Sequence, residues 1–174
     1  MEFLKIFGFN SSPFPVTGRS SLKSYLPYFT KSQKIILVHN TFIQEDDIQY
    51  AQHYALENNL AIVVCLCPNA NLYIEGKLPP IEKLVTNNCH IVLGTDSYSS
   101  NWQLSIAKEM ESLMKMDYFK KMDRLSALEV LLQWATSSGA RALGWEDDLG
   151  TFEKGKTPGI AVINEDLSGS KKIL

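Results

Sequence analysis

Strand and turn signals follow one another in the stretch His90–Asn101, which reads H-I-V-L-G-T-D-S-Y-S-S-N. The run Ile91–Leu93 has the length and residue type of a short strand buried inside a parallel sheet. Gly94 ends this strand, and a polar turn with Asp96 at its centre follows. The stretch therefore places one carboxylate just beyond the C-terminal end of a strand, where α/β sheets and barrels hold their catalytic groups.

Two capping boxes predict where later helices begin. Ser100 and Gln103 are three residues apart, a spacing at which the two side chains satisfy the first N–H groups of a helix, so a helix is expected to begin at about Asn101. Ser126 and Glu129 repeat the pattern and predict a second helix. Apolar residues recur at helical spacing after each box, at positions 106, 110, 113 and 114 and at positions 128, 131, 132 and 135.

Two further apolar runs lie upstream, at Ile35–Val38 and Ala61–Cys67. The isoleucines that open the three strands stand at positions 35, 62 and 91, which are 27 and 29 residues apart. This spacing predicts successive strand–helix units of a parallel sheet. We also expect loops at 10–15 and 68–80, helices at about 45–58 and 81–85, a strand at 160–163 and a frayed end at 168–174.

Composition excludes several classes of protein. The chain has 174 residues, of which 45% are hydrophobic, and this is enough for one globular domain with a sizeable core. Its 17 basic and 19 acidic residues, with a net charge of −2, give no electrostatic case for binding nucleic acid or an anionic membrane. No apolar run approaches the roughly 20 residues of a membrane span, and no secretory signal pattern is present. Three cysteines in apolar surroundings indicate reduced thiols in a cytoplasmic protein.

Polar side chains follow the ends of the three predicted strands: His39, then Asn69 and Asn71, then Asp96. Parallel strands end at the same edge of a sheet, so these side chains are expected to converge. An aspartate and a histidine suit metal-assisted hydrolysis, in which the aspartate binds the metal and accepts a proton from water while the histidine polarises the group under attack. Asparagine amides can orient a polar heterocycle. The alternative is that these are ordinary loop residues, since polar residues are common after strands.

The remaining histidines and cysteines favour structural roles. His53 lies in the middle of a predicted helix and His90 at the start of a strand. Cys65 and Cys67 share one face of a strand, whereas Cys89 precedes the next strand and is expected at the opposite end of the sheet. Core thiols are therefore preferred over a metal site made of three thiolates.

Several motifs resemble the last three barrel strands of the metal-dependent amidohydrolase superfamily. They are Leu37–Asn40, Cys67–Leu72, Gly94–Ser97, Gly139–Gly144 and Leu149–Lys156, in the order and at the spacing of that superfamily. The resemblance extends over roughly residues 20–163. It is greatest to the branch of chlorohydrolases and aminohydrolases that act on purine, pterin and triazine rings.

The resemblance implies a partial (β/α)8 barrel of the TIM type. Residues 1–145 would form about strands 6 to 8 with their helices, and residues 146–174 would form one or two strands of a small β-sandwich with a flexible tail. A complete barrel of this kind typically needs about 250 residues.

The same resemblance implies the roles of five residues. Asp96 would be the metal ligand and proton acceptor, and His39 would help to activate water or polarise the substrate. The residues implied to line the substrate pocket are Asn69, Asn71 and Ser97. The implied cofactor is one divalent metal, zinc or alternatively iron, and the implied substrate is a small heterocycle that loses an amine or a halide.

The other metal ligands of the superfamily, a His-x-His pair and a later histidine, have no counterpart in this sequence. The chain is therefore expected to be the C-terminal part of a longer enzyme, inactive alone and holding metal weakly or not at all. The alternative is a non-catalytic α/β interaction domain that self-associates through its open barrel edge. A nucleotide-binding domain is disfavoured because no Gly-rich loop follows a strand.

Overall fold

The structure, a computed structural model, describes residues 6–8 and 17–173. The described residues form an α/β fold with a three-stranded parallel sheet and a two-stranded antiparallel sheet. The α/β class and the parallel pairing predicted from the spacing of the apolar runs are confirmed. The loop predicted at residues 10–15 lies outside the described residues.

Helices follow the strands of the parallel sheet along the chain. In order, the elements are α1 (Ser21–Tyr25), a 3₁₀ turn (Leu26–Tyr28), β1 (Lys34–Val38), α2 (Glu45–Asn58), β2 (Ala61–Leu66), α3 (Pro68–Glu75), α4 (Ile81–Thr86), β3 (His90–Leu93), α5 (Ile106–Met114), α6 (Asp117–Lys120), α7 (Arg124–Ala135), α8 (Ser137–Leu143), β4 (Ala161–Ile163) and β5 (Ser170–Lys172). Among the residues described, no helix combines the length and apolar character needed to cross a bilayer.

Strand β2 lies between β1 and β3 and fixes the register of both. Leu37 stands beside Val64, and Val64 stands beside Ile91. Val64 and Ile91 are buried in the main apolar cluster together with the helix residues Ile48 and Leu84. Burying a side chain of this size is worth about 1.5–3 kcal/mol, so this layer supplies much of the driving force for folding.

The opposite face of the parallel sheet is covered only in part by the described residues. Val63 and Val92 pack against Ala142 of helix α8. On the edge strand β1, by contrast, Ile36 is 40% exposed and Val38 is 48% exposed. This face therefore presents apolar strand side chains to solvent beside an unpaired strand edge, a combination that favours association.

Helix α3 stands where the sequence predicted a loop. Pro68 occupies the first helical turn, where its fixed φ suits the helix and its missing N–H costs nothing. Gly76 ends the helix in the left-handed conformation with φ of 61°. The prediction was wrong because Asn69 and Asn71 were treated as loop formers, whereas both side chains are buried and find hydrogen-bond partners.

The first predicted capping box is also wrong. Helix α5 begins at Ile106 with Ser105 as its N-cap residue, several residues later than expected. The hydroxyl of Ser100 does not cap a helix; it donates to the Asp96 carboxylate at 2.6 Å. Ser100 bonds to Asp96 and not to a helix N–H because hydrogen bonds to a carboxylate are stronger than those to neutral groups.

Two later boundaries differ from the prediction as well. Helix α7 begins after Asp123, whose side chain accepts from the Ser126 N–H at 3.0 Å, so Ser126 lies within the first turn and is not the cap. The chain end predicted to be frayed forms strand β5, in which Ser170 pairs with Ile163 of β4.

Two glycines give a matched test of the packing around helix α8. A Cβ on Gly150, which has φ of 89°, would lie 2.8 Å from Ala140 Cβ and 2.9 Å from Ser137 Cα. A Cβ on Gly139, inside α8, would meet no atom within 4 Å. We predict that Gly150→Ala lowers the free energy of unfolding by roughly 1–3 kcal/mol. Gly139→Ala should leave it unchanged or raise it by about 0.5–1 kcal/mol. Urea unfolding measures the free energy of unfolding of both variants. Equal changes in the two would contradict the close packing of Gly150 against helix α8.

Candidate active site

His39 and Asp96 meet at the C-terminal edge of the parallel sheet. The distance from His39 Nε2 to Asp96 Oδ2 is 3.5 Å. The two residues follow β1 and β3, the strands on either side of β2, so the register of the sheet brings them together. Both side chains stay accessible, with exposed fractions of 37% for His39 and 29% for Asp96. The convergence expected from the strand ends is thus present in the structure.

The backbone at both residues adopts an unusual conformation. His39, Asn40 and Asp96 have φ values of 69°, 55° and 58°, all in the left-handed region. Such a conformation is uncommon for residues other than glycine and persists only where surrounding contacts enforce it. One such contact is the Asn40 side-chain amide, which donates to the Leu37 carbonyl at 2.8 Å. The turns after β1 and β3 therefore both contain residues in the left-handed conformation.

The far side of the His39 ring is oriented by Asn71. His39 Nδ1 lies 3.3 Å from Asn71 Oδ1, and the Asn71 amide donates to the hydroxyl of Thr41, which is also buried. With the amide oxygen facing the ring, Nδ1 of His39 carries the proton and donates. In the neutral ring, Nε2 is then left with its lone pair on the side of Asp96. A pair arranged in this way can hold an exchangeable proton between a nitrogen and a carboxylate.

The Asp96 turn is organised by serine hydroxyls. Ser100 donates to Asp96 Oδ2 at 2.6 Å, which fixes one carboxylate oxygen. The hydroxyl of Ser97 lies 2.7 Å from that of Ser99. Ser97 follows Asp96 in this turn, and its hydroxyl takes part in the hydrogen bonds of the turn.

Glu109 is the residue of this region that the sequence analysis missed. Its carboxylate is fully buried. It accepts from the Asn69 backbone N–H at 2.8 Å, from the Asn69 side-chain amide at 3.0 Å and from the Asn101 amide at 2.8 Å. Burial raises the pKa of Glu109, and these hydrogen bonds oppose the rise.

The Glu109 network joins the segments that follow β2 and β3. Asn69 lies in the first turn of helix α3, and its side-chain oxygen also accepts from Ser112 at 2.6 Å. Asn101 donates in addition to the Thr95 carbonyl at 2.7 Å, beside Asp96. A signal was present in the sequence, since a glutamate at 109 interrupts the apolar face of the helix next to Met110. Charged residues are almost never fully buried unless they are paired.

The described residues do not complete a metal site. Within residues 6–8 and 17–173, no three His, Cys, Asp or Glu side chains lie close enough together to hold a metal ion. Cys65 and Cys67 lie beside the same position on Gly94, but Cys89 packs elsewhere, against the main apolar cluster. His53 is exposed and pairs with Glu57 on its own helix, as expected for a structural residue.

Comparison with known proteins places the chain in a family. The profile of the Amidohydrolase family matches residues 16–173. The chain belongs to the amidohydrolase family. The superfamily resemblance predicted from the motifs is confirmed.

Deaminases are among the relatives and structural neighbours of this family member. The 5-methylthioadenosine/S-adenosylhomocysteine deaminase of Caldanaerobacter subterraneus subsp. tengcongensis is 36% identical over 99 residues, which are 56% of this chain and 23% of that protein. An adenosine deaminase from Xanthomonas campestris with bound zinc is 30% identical with a TM-score of 0.58, over 76% of this chain and 29% of that chain. Helicobacter pylori aminofutalosine deaminase has a TM-score of 0.69 at 23% identity, over 89% of this chain and 36% of that chain, and shows the fold alone. The chain thus spans about a quarter to a third of the length of the proteins it matches.

We predict that Glu109→Ala destabilises the fold strongly. The substitution leaves three buried N–H donors without an acceptor, which should lower the free energy of unfolding by roughly 2–5 kcal/mol. Glu111→Ala, two residues along the same helix, removes only the surface ion pairs with Lys108 and Lys115 and should cost about 1 kcal/mol or less. Chemical denaturation of both variants measures the difference, and similar losses would contradict the buried network.

The raised pKa of Glu109 also predicts a pH dependence of stability. A carboxyl whose pKa is raised in the folded state binds its proton more tightly there. Its contribution to the free energy of unfolding is therefore fully present below the pKa that the same carboxyl has in the unfolded chain. That contribution is lost as the pH rises through the folded-state pKa. The stability of the wild type relative to Glu109→Gln, which cannot ionise, should therefore fall as the pH rises above the ordinary glutamate range. An increase with pH in the stability of the wild type relative to Glu109→Gln would contradict the raised pKa of Glu109.

Proposed function

We propose that this chain is the C-terminal part of a metal-dependent hydrolase that deaminates a heterocyclic amine. Residues 1–145 would supply about strands 6 to 8 of a (β/α)8 barrel, and residues 146–174 the return strands of an accessory β-sandwich. The three-stranded parallel sheet, its helices and the separate antiparallel pair of strands support this assignment. The deaminases among its relatives support the reaction class.

The observation that carries the proposal is the His39–Asp96 pair. The two groups lie 3.5 Å apart, partly exposed, at the C-terminal edge of a parallel sheet. Active sites of α/β barrels lie at that edge. A surface ion pair with a purely structural role would not need two strained turns and a buried amide to orient its histidine.

Asp96 and His39 would divide the acid–base work. Asp96 would accept a proton from the attacking water and contribute one carboxylate to the metal shell. His39, held at Nδ1 by Asn71, would present Nε2 to the group under attack and move a proton there. A bound divalent metal, with zinc supported by the Xanthomonas structure, would supply an activated water at neutral pH. Its remaining ligands would come from outside the residues described, and the chain alone would be inactive.

The substrate would be a small heterocycle with an exocyclic amine. The relatives named for 5-methylthioadenosine and S-adenosylhomocysteine point to an adenine-type ring. Loss of chloride from a ring is the alternative outcome of the same attack by water. Asn71, which contacts the His39 ring, and Ser97, which follows Asp96 in its turn, would line the substrate pocket. Asn69, also proposed to bind substrate, has its amide engaged by Glu109 and Ser112, and would shape the pocket through its backbone.

A chimera tests the proposed reaction directly. Residues 16–173 of this chain would replace the matching segment of the Caldanaerobacter deaminase, and ammonia release from 5-methylthioadenosine and chloride release from a chlorotriazine would be measured. We predict deamination by the chimera, lowered by about 10²- to 10⁴-fold in Asp96→Asn. Asp117→Asn, at an exposed carboxylate far along the chain, serves as the control and should retain activity.

Folding of the chimera is established separately by circular dichroism and zinc content. A folded, zinc-loaded chimera that deaminates nothing would contradict the proposed reaction. Equal activity in Asp96→Asn and Asp117→Asn would contradict the proposed role of Asp96.

A second candidate function is supported by the open face of the sheet. Ile36 and Val38 expose apolar side chains on an edge strand, which favours self-association of the chain as a non-catalytic interaction domain. The two candidates differ in what covers this face: the rest of a barrel in the enzyme, or a second copy in the interaction domain.

We predict that the isolated chain forms dimers or larger species, and that Ile36→Lys shifts it to monomer by placing a charge on the edge strand. Val162→Lys, at an exposed valine of β4, is the matched control and should leave the mass in solution unchanged. Light scattering after size-exclusion chromatography measures the mass. A monomeric wild-type chain would contradict association through this face.

A further inference from the structure

Cys65 lies near the end of β2, on the face that packs against Ala142 of helix α8, and Cys67 follows just beyond the strand. A Cβ placed on Gly94 of the neighbouring strand would lie 2.9 Å from Cys65 Sγ and 3.3 Å from Cys67 Sγ. Both sulfurs thus lie beside the same backbone position. Cys89 packs against the main apolar cluster, on the other face of the sheet from Cys65, and has no part in this pair.

We propose that Cys65 and Cys67 form a bidentate site for a thiophilic ligand, a soft metal ion or a trivalent arsenical. Two sulfurs bound to one tetrahedral centre with bonds of about 2.3 Å lie about 3.8 Å apart. The two sulfurs lie 2.9 Å and 3.3 Å from the same point beside Gly94, so both thiols already border the small space that a bridging atom would use.

A disulfide fits the same two residues less well. Residues two apart in a strand have Cα atoms about 6.4–6.8 Å apart, at the outer limit of about 6.8 Å for a disulfide. Closing the bond would require β2 to bend. Insertion of a bridging atom avoids this strain, and it requires no oxidant.

The two thiols differ in reactivity in a way that suits stepwise binding. The neighbouring Cys67 thiol lowers the pKa of Cys65, whereas Cys65 and burial raise the pKa of Cys67. Cys65 is also the more accessible of the two, since Cys67 is buried. Cys65 would therefore attack first, and Cys67 would close the chelate.

The pair is linked through the backbone to both residues of the candidate active site. The Cys65 carbonyl accepts from the His39 N–H at 3.0 Å, and the Leu66 carbonyl accepts from the Gly94 N–H at 2.9 Å. Gly94 is two residues before Asp96. A ligand held by both sulfurs against Gly94 would therefore disturb the turns that carry His39 and Asp96.

Phenylarsine oxide is the probe for this site. Two thiols and the reagent give two As–S bonds and one water, the arsenic oxygen leaving with both thiol protons and the arsenic remaining trivalent. One equivalent should remove two of the three titratable thiols of the native chain, and peptide mass mapping should find the adduct on the segment that contains both residues. An adduct on Cys89, or none in the native protein, would overturn the proposal.

Variants separate chelation from reaction at a single thiol. Cys89→Ser should bind as the wild type does, whereas Cys65→Ser should lose at least about 100-fold in affinity because the second bond is no longer intramolecular. The wild-type adduct should resist excess monothiol and be reversed by a small dithiol. Equal binding by Cys65→Ser, or reversal by monothiol, would overturn the site.

The link to the active site has its own readout. Formation of the adduct should shift the ring NMR signals of His39 and leave those of His53, on the exposed face of α2, unchanged. Unmoved His39 signals in a fully formed adduct would contradict the coupling, and they leave the proposed hydrolase chemistry unaffected.

Discussion

The hydrogen-bond ladder of β2 is the constraint on which the other features depend. Because β2 pairs in parallel with both neighbours, the chain leaves β1 and β3 at the same edge of the sheet. These hydrogen bonds continue past the ends of β1 and β3: the Cys65 carbonyl accepts from the His39 N–H, and the Leu66 carbonyl accepts from the Gly94 N–H. The meeting of His39 and Asp96 follows from this register, and so does the position of the paired thiols between them.

The second constraint is electrostatic. A carboxylate is expensive to bury, and Glu109 is tolerated in the interior because three N–H groups from the segments after β2 and β3 point at it. Because Glu109 is buried, removal of its carboxylate would leave all three N–H donors without a hydrogen-bond partner. Helix α3 and the Asp96 turn are therefore fixed relative to each other, and Asn71 on α3 can orient the ring of His39.

The sequence predicted the features that depend on local pattern. Apolar runs predicted the strands, their spacing predicted the parallel sheet, and the strand ends predicted the meeting of His39 and Asp96. The predictions that were wrong concern side chains that could form hydrogen bonds with more than one partner. Ser100 has the spacing of a helix cap but bonds to the Asp96 carboxylate, and the asparagines of α3 have loop propensity but find buried partners. Which partner such a side chain binds depends on tertiary contacts, and a short stretch of sequence does not show them.

The most direct test of the preassembled pair is the protonation of the His39 ring. Nitrogen NMR of the histidine side chains in alkaline solution, where imidazole is neutral, distinguishes the two tautomers. We predict a proton on Nδ1, where Asn71 accepts it, and an Nε2 signal that moves in Asp96→Asn. A neutral ring protonated at Nε2 and insensitive to Asp96→Asn would contradict the arrangement from which the proposed chemistry is drawn.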